Sequence, residues 1–234
     1  MRYAIGEIVL VVVGILIALS INNWNQDQQN KKLEQATLKA LLIEFEDNRM
    51  SIIEYLDDIK IRRKFGDTLR KQLGPEITSM NEDNVHRLLG EIGATTKCVV
   101  SIDALGDIQS SGKLNLLSNV EVRKGISKWS SLLKELQGEE FDWAQEYSSQ
   151  FMPYTNKWMQ WDNVDYVFEY RDSIRYFKSR FDQDPRLMLQ QPEFANIMSI
   201  QYWRFVRIER RTDVLLKQTE TLVGSIKKEL FRFD

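Results

Sequence analysis

Two versatile side chains stand alone in this chain: His86 is its single histidine and Cys98 its single cysteine. A zinc site built from His and Cys needs several of them at short spacing, and the paired Glu-x-x-His motifs of di-iron bundles need two histidines. Neither can be assembled here, and one cysteine forms no disulfide within the chain. His86 lies beside Val85 and Leu88 on a short amphipathic stretch, where a packed or surface imidazole is the ordinary reading. Cys98 precedes Val99 and Val100 and reads as a small buried hydrophobe. Between Gly106 and Lys113 the chain superficially resembles a phosphate loop. Five residues separate Gly106 from Gly112 where four are required, however, and Leu114 replaces the required Ser or Thr. The carboxylates Glu44, Glu46, Asp47, Asp57 and Asp58 fall on helical faces, where solvation is the expected state. Arg204, Arg207, Arg210 and Arg211 form a basic stripe, but Glu209 and Asp213 lie beside it, so a salt-bridged exposed face is expected over an anion site. No catalytic residue, metal ligand or cofactor follows from these patterns, and the chain does not read as an enzyme.

Glu7 is different, because it is the one charge between Ile5 and Ile21. On a helix it shares a face with Gly14, two turns on, and Ala18, one turn further. Small residues along a face permit close helix approach, and a carboxylate there needs a partner or a route to the headgroups. Two readings stand side by side: Glu7 snorkels to the interface, or Glu7, Gly14 and Ala18 form a membrane association face. A proton- or ion-coupled role is the narrow extension of the second.

The element that would carry this stripe runs from Tyr3 to Asn25. It holds twelve Ile, Leu or Val residues between Ile5 and Ile21. A helix from Tyr3 to Trp24 would extend roughly 33 Å at about 1.5 Å per residue, against a hydrocarbon core of about 30 Å. Each central aliphatic contributes roughly −0.3 to −0.6 kcal/mol to insertion, so together they outweigh one carboxylate at about +2.5 to +3.5 kcal/mol. Tyr3 and Trp24 suit the two interfacial aromatic belts. A cleaved signal peptide is the competing reading, with Ile8–Leu19 as its core and Ala18-Leu19-Ser20 as a rough cleavage site. A single basic residue, Arg2, and a carboxylate directly before the core argue against it, so a retained anchor is expected.

The run Tyr-Ala-Ile-Gly-Glu-Ile-Val-Leu-Val-Val-Val-Gly-Ile-Leu-Ile-Ala-Leu-Ser-Ile-Asn-Asn-Trp-Asn, residues 3–25, closely resembles the N-terminal signature of a family of uncharacterised bacterial envelope proteins. Ser110-Ser111-Gly112-Lys113-Leu114 resembles a weaker family feature. The resemblance implies one transmembrane helix followed by a helical domain, and it lends no established activity. Family members usually carry a basic arm before the run, where this sequence has Met1 and Arg2. Lys31, Lys32 and Lys39 by themselves favour a cytoplasmic C-terminal side. The resemblance implies the reverse, and it is followed here: inner membrane, single-pass, with the helical domain periplasmic.

Beyond this anchor, residues 1–25, one bundle domain is expected over 26–234. Thirty-two basic and thirty-four acidic residues give a net charge of −2, which offers no global field for nucleic acid. Four prolines and eleven glycines argue for an ordered helical chain. Long amphipathic helices are predicted at about 27–73, 119–152 and 192–232, with short ones between. Leu38, Phe45, Ile52 and Ile59 recur every seven residues in the first, and Gly66 is its likeliest soft point. Ser79 and Glu82 fit a capping box, Gly112 a left-handed cap, Pro153 a kink or stop, and Asp184-Pro185 an N-cap followed by proline at the first helical position. The last helix has a seam from Phe194 to Phe233, diluted by Thr212 and Thr219. Thirteen of the twenty-five aromatics fall between Phe141 and Phe181, chiefly as core. Trp158, Trp161 and Tyr166 among them could serve a ligand or the bilayer interface.

The expectation is therefore an all-α protein: a single transmembrane helix continuing into an elongated antiparallel bundle. Its partners would be the lipid bilayer and a second copy or another membrane protein. Its role would be scaffold, assembly or sensing in the bacterial envelope. The alternatives are a stator-like subunit of an ion-coupled complex using Glu7, and a periplasmic small-ligand sensor using the aromatic cluster.

Overall fold

The computed structural model describes the backbone over residues 2–93, 97–168 and 176–233, with side chains from residue 10 onward. The described residues are helical and contain no strand. The α-helices are α1 (Arg2–Arg70), α2 (Glu82–Gly93), α3 (Asp103–Ser110), α4 (Val120–Glu146), α5 (Met152–Thr155), α6 (Trp161–Phe168) and α7 (Pro192–Leu230). Short 3-10 turns stand at Lys113–Leu116 and Pro185–Gln190. The chain divides into two compact units, one of residues 1–47, 101–127 and 220–234, the other of 48–100 and 128–219. Helices α1, α4 and α7 lend a segment to each.

The first long helix is continuous with the anchor stretch and ends three residues before the expected Leu73. Residues 22–30, polar but without Gly or Pro, do not break it, so α1 already begins at Arg2 and passes through Gly66. It closes at Arg70, where Gln72 N–H and Leu73 N–H turn back to Leu69 and Arg70 carbonyls ahead of Gly74-Pro75.

In the first unit α1 buries Leu38, Leu41 and Phe45 with Leu105, Ile108 and Leu117, Val122 and Ile126, and Leu222 and Ile226. Glu44 lies among them and is buried, which corrects the expectation of a solvated carboxylate. Its oxygens accept from the Ala104 amide at 2.7 Å, the Leu105 amide at 3.1 Å and the Ser101 hydroxyl at 3.1 Å. Ile102, at the N-cap of α3, has no side-chain acceptor to offer; Ser101 Oγ takes the Asp103 amide, at 3.4 Å, and α1 supplies acceptors for the next two. Glu34, also buried, accepts from Ser118 N–H at 2.5 Å. Buried Glu229 accepts from the Asn119 side chain at 2.6 Å. Asn119 in turn caps α4 through Glu121 N–H and Val122 N–H, as a helix start there requires. Gly112 follows α3 with φ of 71°, the left-handed conformation predicted for it. Glu46 and Lys227 pair at 2.6 Å on the outside.

In the second unit α1 buries Ile52, Tyr55, Leu56 and Ile59 in a core shared with Trp129, Leu133, Leu136 and Trp143 of α4 and Phe205, Ile208 and Leu215 of α7. Thr212 and Thr219 do not dilute the α7 seam; both are fully buried. Each hydroxyl donates to the carbonyl four residues back, and Thr219 Oγ1 also accepts from Trp129 Nε1 at 2.9 Å. Thr219 thus gives the indole its buried partner. Helix α2 begins later than the capping box placed it: Asn81, not Ser79, accepts from Asn84 N–H at 2.8 Å. Pro153 does not stop the helical path at once. A π turn at Tyr147–Phe151 widens the helix just ahead of the proline, and α5 carries it on to Thr155. Asp184 accepts from Arg186 N–H with Pro185 next to it, the predicted cap, though the helix it starts is 3-10.

The Glu44 cap is open to direct test. Glu44→Ala leaves one buried and one half-buried amide of α3 without acceptors and should cost about 3 kcal/mol, while Glu44→Gln, keeping one acceptor oxygen, should cost about 1 kcal/mol. Denaturant midpoints give the energies. Amide exchange at Ala104 and Leu105 should quicken most in the alanine variant, and equal midpoints for all three proteins would refute the assignment.

Candidate functional site

From Leu10 to Trp24 the apolar side chains of α1 face outward: Leu10 is 74% exposed and Trp24 64%. Contiguous apolar surface of this kind marks an interaction or membrane-contact site. Val13, Leu16, Ile17, Ser20, Ile21 and Trp24 line a shallow groove on it. The Ser20 hydroxyl donates to Leu16 C=O at 2.8 Å, so it asks nothing of its surroundings. No side chain approaches within 4 Å of where a Cβ on Gly14 would sit, and Ala18 is exposed one turn on. The side chains of Glu7 and Tyr3 lie outside the described residues. Past Trp24 the surface turns polar, with Gln26 donating to Asn30 at 3.3 Å. Among the described residues no helix is long and apolar enough to cross a membrane. The apolar run counted from Ile5 begins ahead of the residues whose side chains are described.

The aromatic cluster divides. Trp143, Tyr147 and Phe151 stack at 5.3 and 5.0 Å between centroids, Phe194 meets Phe151 and Tyr154, and Phe205 meets Trp143. This is core. Trp158 stacks on Tyr154, Trp161 donates to Asn156 Oδ1 at 2.7 Å, and Tyr166 is exposed on α6. The three are thus spread along the 158–166 segment, each with its own surroundings. Phe141, Phe177 and Phe181 are exposed as well.

Three arginines of the stripe, Arg204, Arg207 and Arg211, are paired, and with carboxylates of α4. Arg204 meets Glu139, Asp142 and Glu146 at 2.6 to 3.0 Å, Arg207 meets Glu139, and Arg211 meets Glu135. Glu209 instead holds Arg63 at 2.5 Å, and Asp213 holds Lys217. A single helix shows only its own charges in sequence, so these partners could not be read from it.

Cys98 is buried, and burial with Glu140 nearby pushes its thiol up to about 12. Such a thiol is protonated and inert at neutral pH. Glu140 Oε1 accepts from Cys98 N–H at 2.9 Å, and burial raises its carboxyl above the usual range. His86 is buried on α2, and neither ring nitrogen has a partner among the described residues. Burial holds its pKa below the ordinary histidine value. No group of three His, Cys, Asp or Glu among the described residues is placed to hold a metal.

His86 therefore links stability to pH. The folded chain keeps it neutral where the unfolded chain, with a pKa of about 6.5, takes up a proton. Its contribution is full above that value and falls as pH drops toward the folded pKa. Glu140 acts oppositely, because its raised pKa favours the folded state as pH falls. The comparison with His86→Leu isolates the first effect. Wild type should lose stability relative to the variant between pH 7.5 and 5, at up to about 1.4 kcal/mol per pH unit. A constant difference in urea midpoint would refute it.

No curated protein and no solved structure matches the chain. Residues 7–131, more than half of it, match the model of a family of unknown function, DUF6090; that stretch takes in most of the exposed apolar surface, Glu34, Glu44 and the whole of α3, and the chain belongs to that family.

Proposed function

We propose that this protein is a non-enzymatic, single-pass membrane scaffold of the bacterial envelope, anchored by the start of α1 with its packed helices on the periplasmic side. The observation that carries the reading is the outward-facing aliphatic surface from Leu10 to Trp24, ending in an aromatic and then a polar collar. In water such a surface is costly at about 25 cal/mol per Å². Acyl chains remove that cost, and the self-satisfied Ser20 hydroxyl suits a medium without hydrogen-bond partners. Self-association is the accompanying proposal, resting on the open side of α1 at Gly14 and Ala18.

The full chain should stay with membranes through alkaline carbonate extraction, and its release into the supernatant would sink the anchor. Orientation is read with Gln29→Cys, an exposed position close to the collar. The buried Cys98 should give little background. A thiol reagent that cannot cross the inner membrane should label the variant in intact spheroplasts; labelling only after lysis would place the helices inside. For self-association, Gly14→Leu should lower the oligomeric mass of the full chain in mild detergent while Val12→Leu leaves it unchanged. Equal masses for both would remove the Gly14 face from the contact.

A further inference from the structure

In the second unit, Tyr55, Ile59, Arg62, Glu140, Trp143, Phe205 and Ile208 enclose a small cavity between α1, α4 and α7. About 10 Å³ of it is open to the centre of a water-sized body. Four polar side chains reach this space although all are nearly fully buried: Tyr55 and Glu140 at 6%, Trp143 at 4% and Arg62 at 8% exposure. Arg62 is already engaged, with Asp58 at 2.8 Å and the Glu91 carbonyl at 2.6 Å. One oxygen of Glu140 is taken by Cys98 N–H. Among the described residues the Trp143 indole N–H has no acceptor and the Tyr55 hydroxyl, though close enough to be influenced by Glu140, has no hydrogen-bond partner.

A buried indole donor without an acceptor costs on the order of 1–3 kcal/mol, and native interiors rarely leave one so. A buried water needs roughly 10–15 Å³ and two to four polar partners. Both conditions are met here. The geometry points to one ordered water in this cavity, accepting from Trp143 Nε1–H and donating to the Glu140 carboxylate and the Tyr55 oxygen. The water is then a structural ligand joining α1 to α4, and it completes the coordination of a carboxylate that also fixes the backbone at Cys98. An ion is a poorer occupant, because a bare cation would need more oxygens than the lining offers.

The test uses the full chain in detergent micelles with ¹⁵N-labelled tryptophan. Trp143→Phe identifies the Trp143 indole resonance by its loss. In wild type this resonance should show cross-relaxation with water of opposite sign in the laboratory and rotating frames, the mark of a long-lived bound water. Tyr55→Phe separates bound water from relay through an exchanging hydroxyl. Because Trp143 and Glu140 remain and the cavity only widens, the water signal should persist there. Absence of the signal in wild type overturns the proposal, with the indole then making direct contact instead. So does a signal present in wild type but lost in Tyr55→Phe, which identifies relay.

Discussion

The carboxylate of Glu44 reaches from α1 to the first turn of α3 and takes two backbone amides and a hydroxyl. An eight-residue helix does not hold itself together in water, since nucleation is costly and few bonds follow. The path from Ser101 to Asn119 contains just α3 and a single 3-10 turn. It is held by acidic side chains projecting from helices long enough to be stable. Glu44 fixes its start, Glu34 holds Ser118, and Glu229 holds Asn119. In the second unit Glu140 does the same for Cys98. Apolar packing brings these helices together, but the buried carboxylates decide which amide lies against which turn.

What could be read in sequence follows from how far each signal reaches. Leu38, Phe45, Ile52 and Ile59 announced their burial because periodicity is a property of one helix. Gly112 and Asp184 announced themselves because caps act within a few residues. Glu44 did not, since its partners are sixty residues on. A clue was present all the same: Glu44 stands three residues after Leu41 and next to Phe45, on the face that the apolar spacing assigns to the core. Thr219 was misread for the same reason. A hydroxyl on a seam looks like dilution until the indole it receives, ninety residues away in the chain, is known. Pro153 shows a third case, in which a local rule held but the chain absorbed it by widening one turn.

The candidate site is legible to a different degree. The aliphatic surface of α1 is plain in composition, and its exposure from Leu10 onward agrees with that reading. The aromatic cluster mixes stacked core residues with exposed ones, and density of aromatics along the chain cannot separate the two. Trp143 belongs to the interior and Phe141, two residues earlier, to the outside.

Continuity of α1 through its polar collar has a mechanical meaning. A flexible linker would let the aliphatic end spin freely, but a helix transmits torque. The azimuth of Gly14 and Ala18 is thereby geared to that of Glu34 and Glu44 on the same rod. One residue added between Asn25 and Gln29 would turn the two by about 100° against each other without removing a single contact. Whatever grips the aliphatic end therefore also sets the bearing of the face that holds α3.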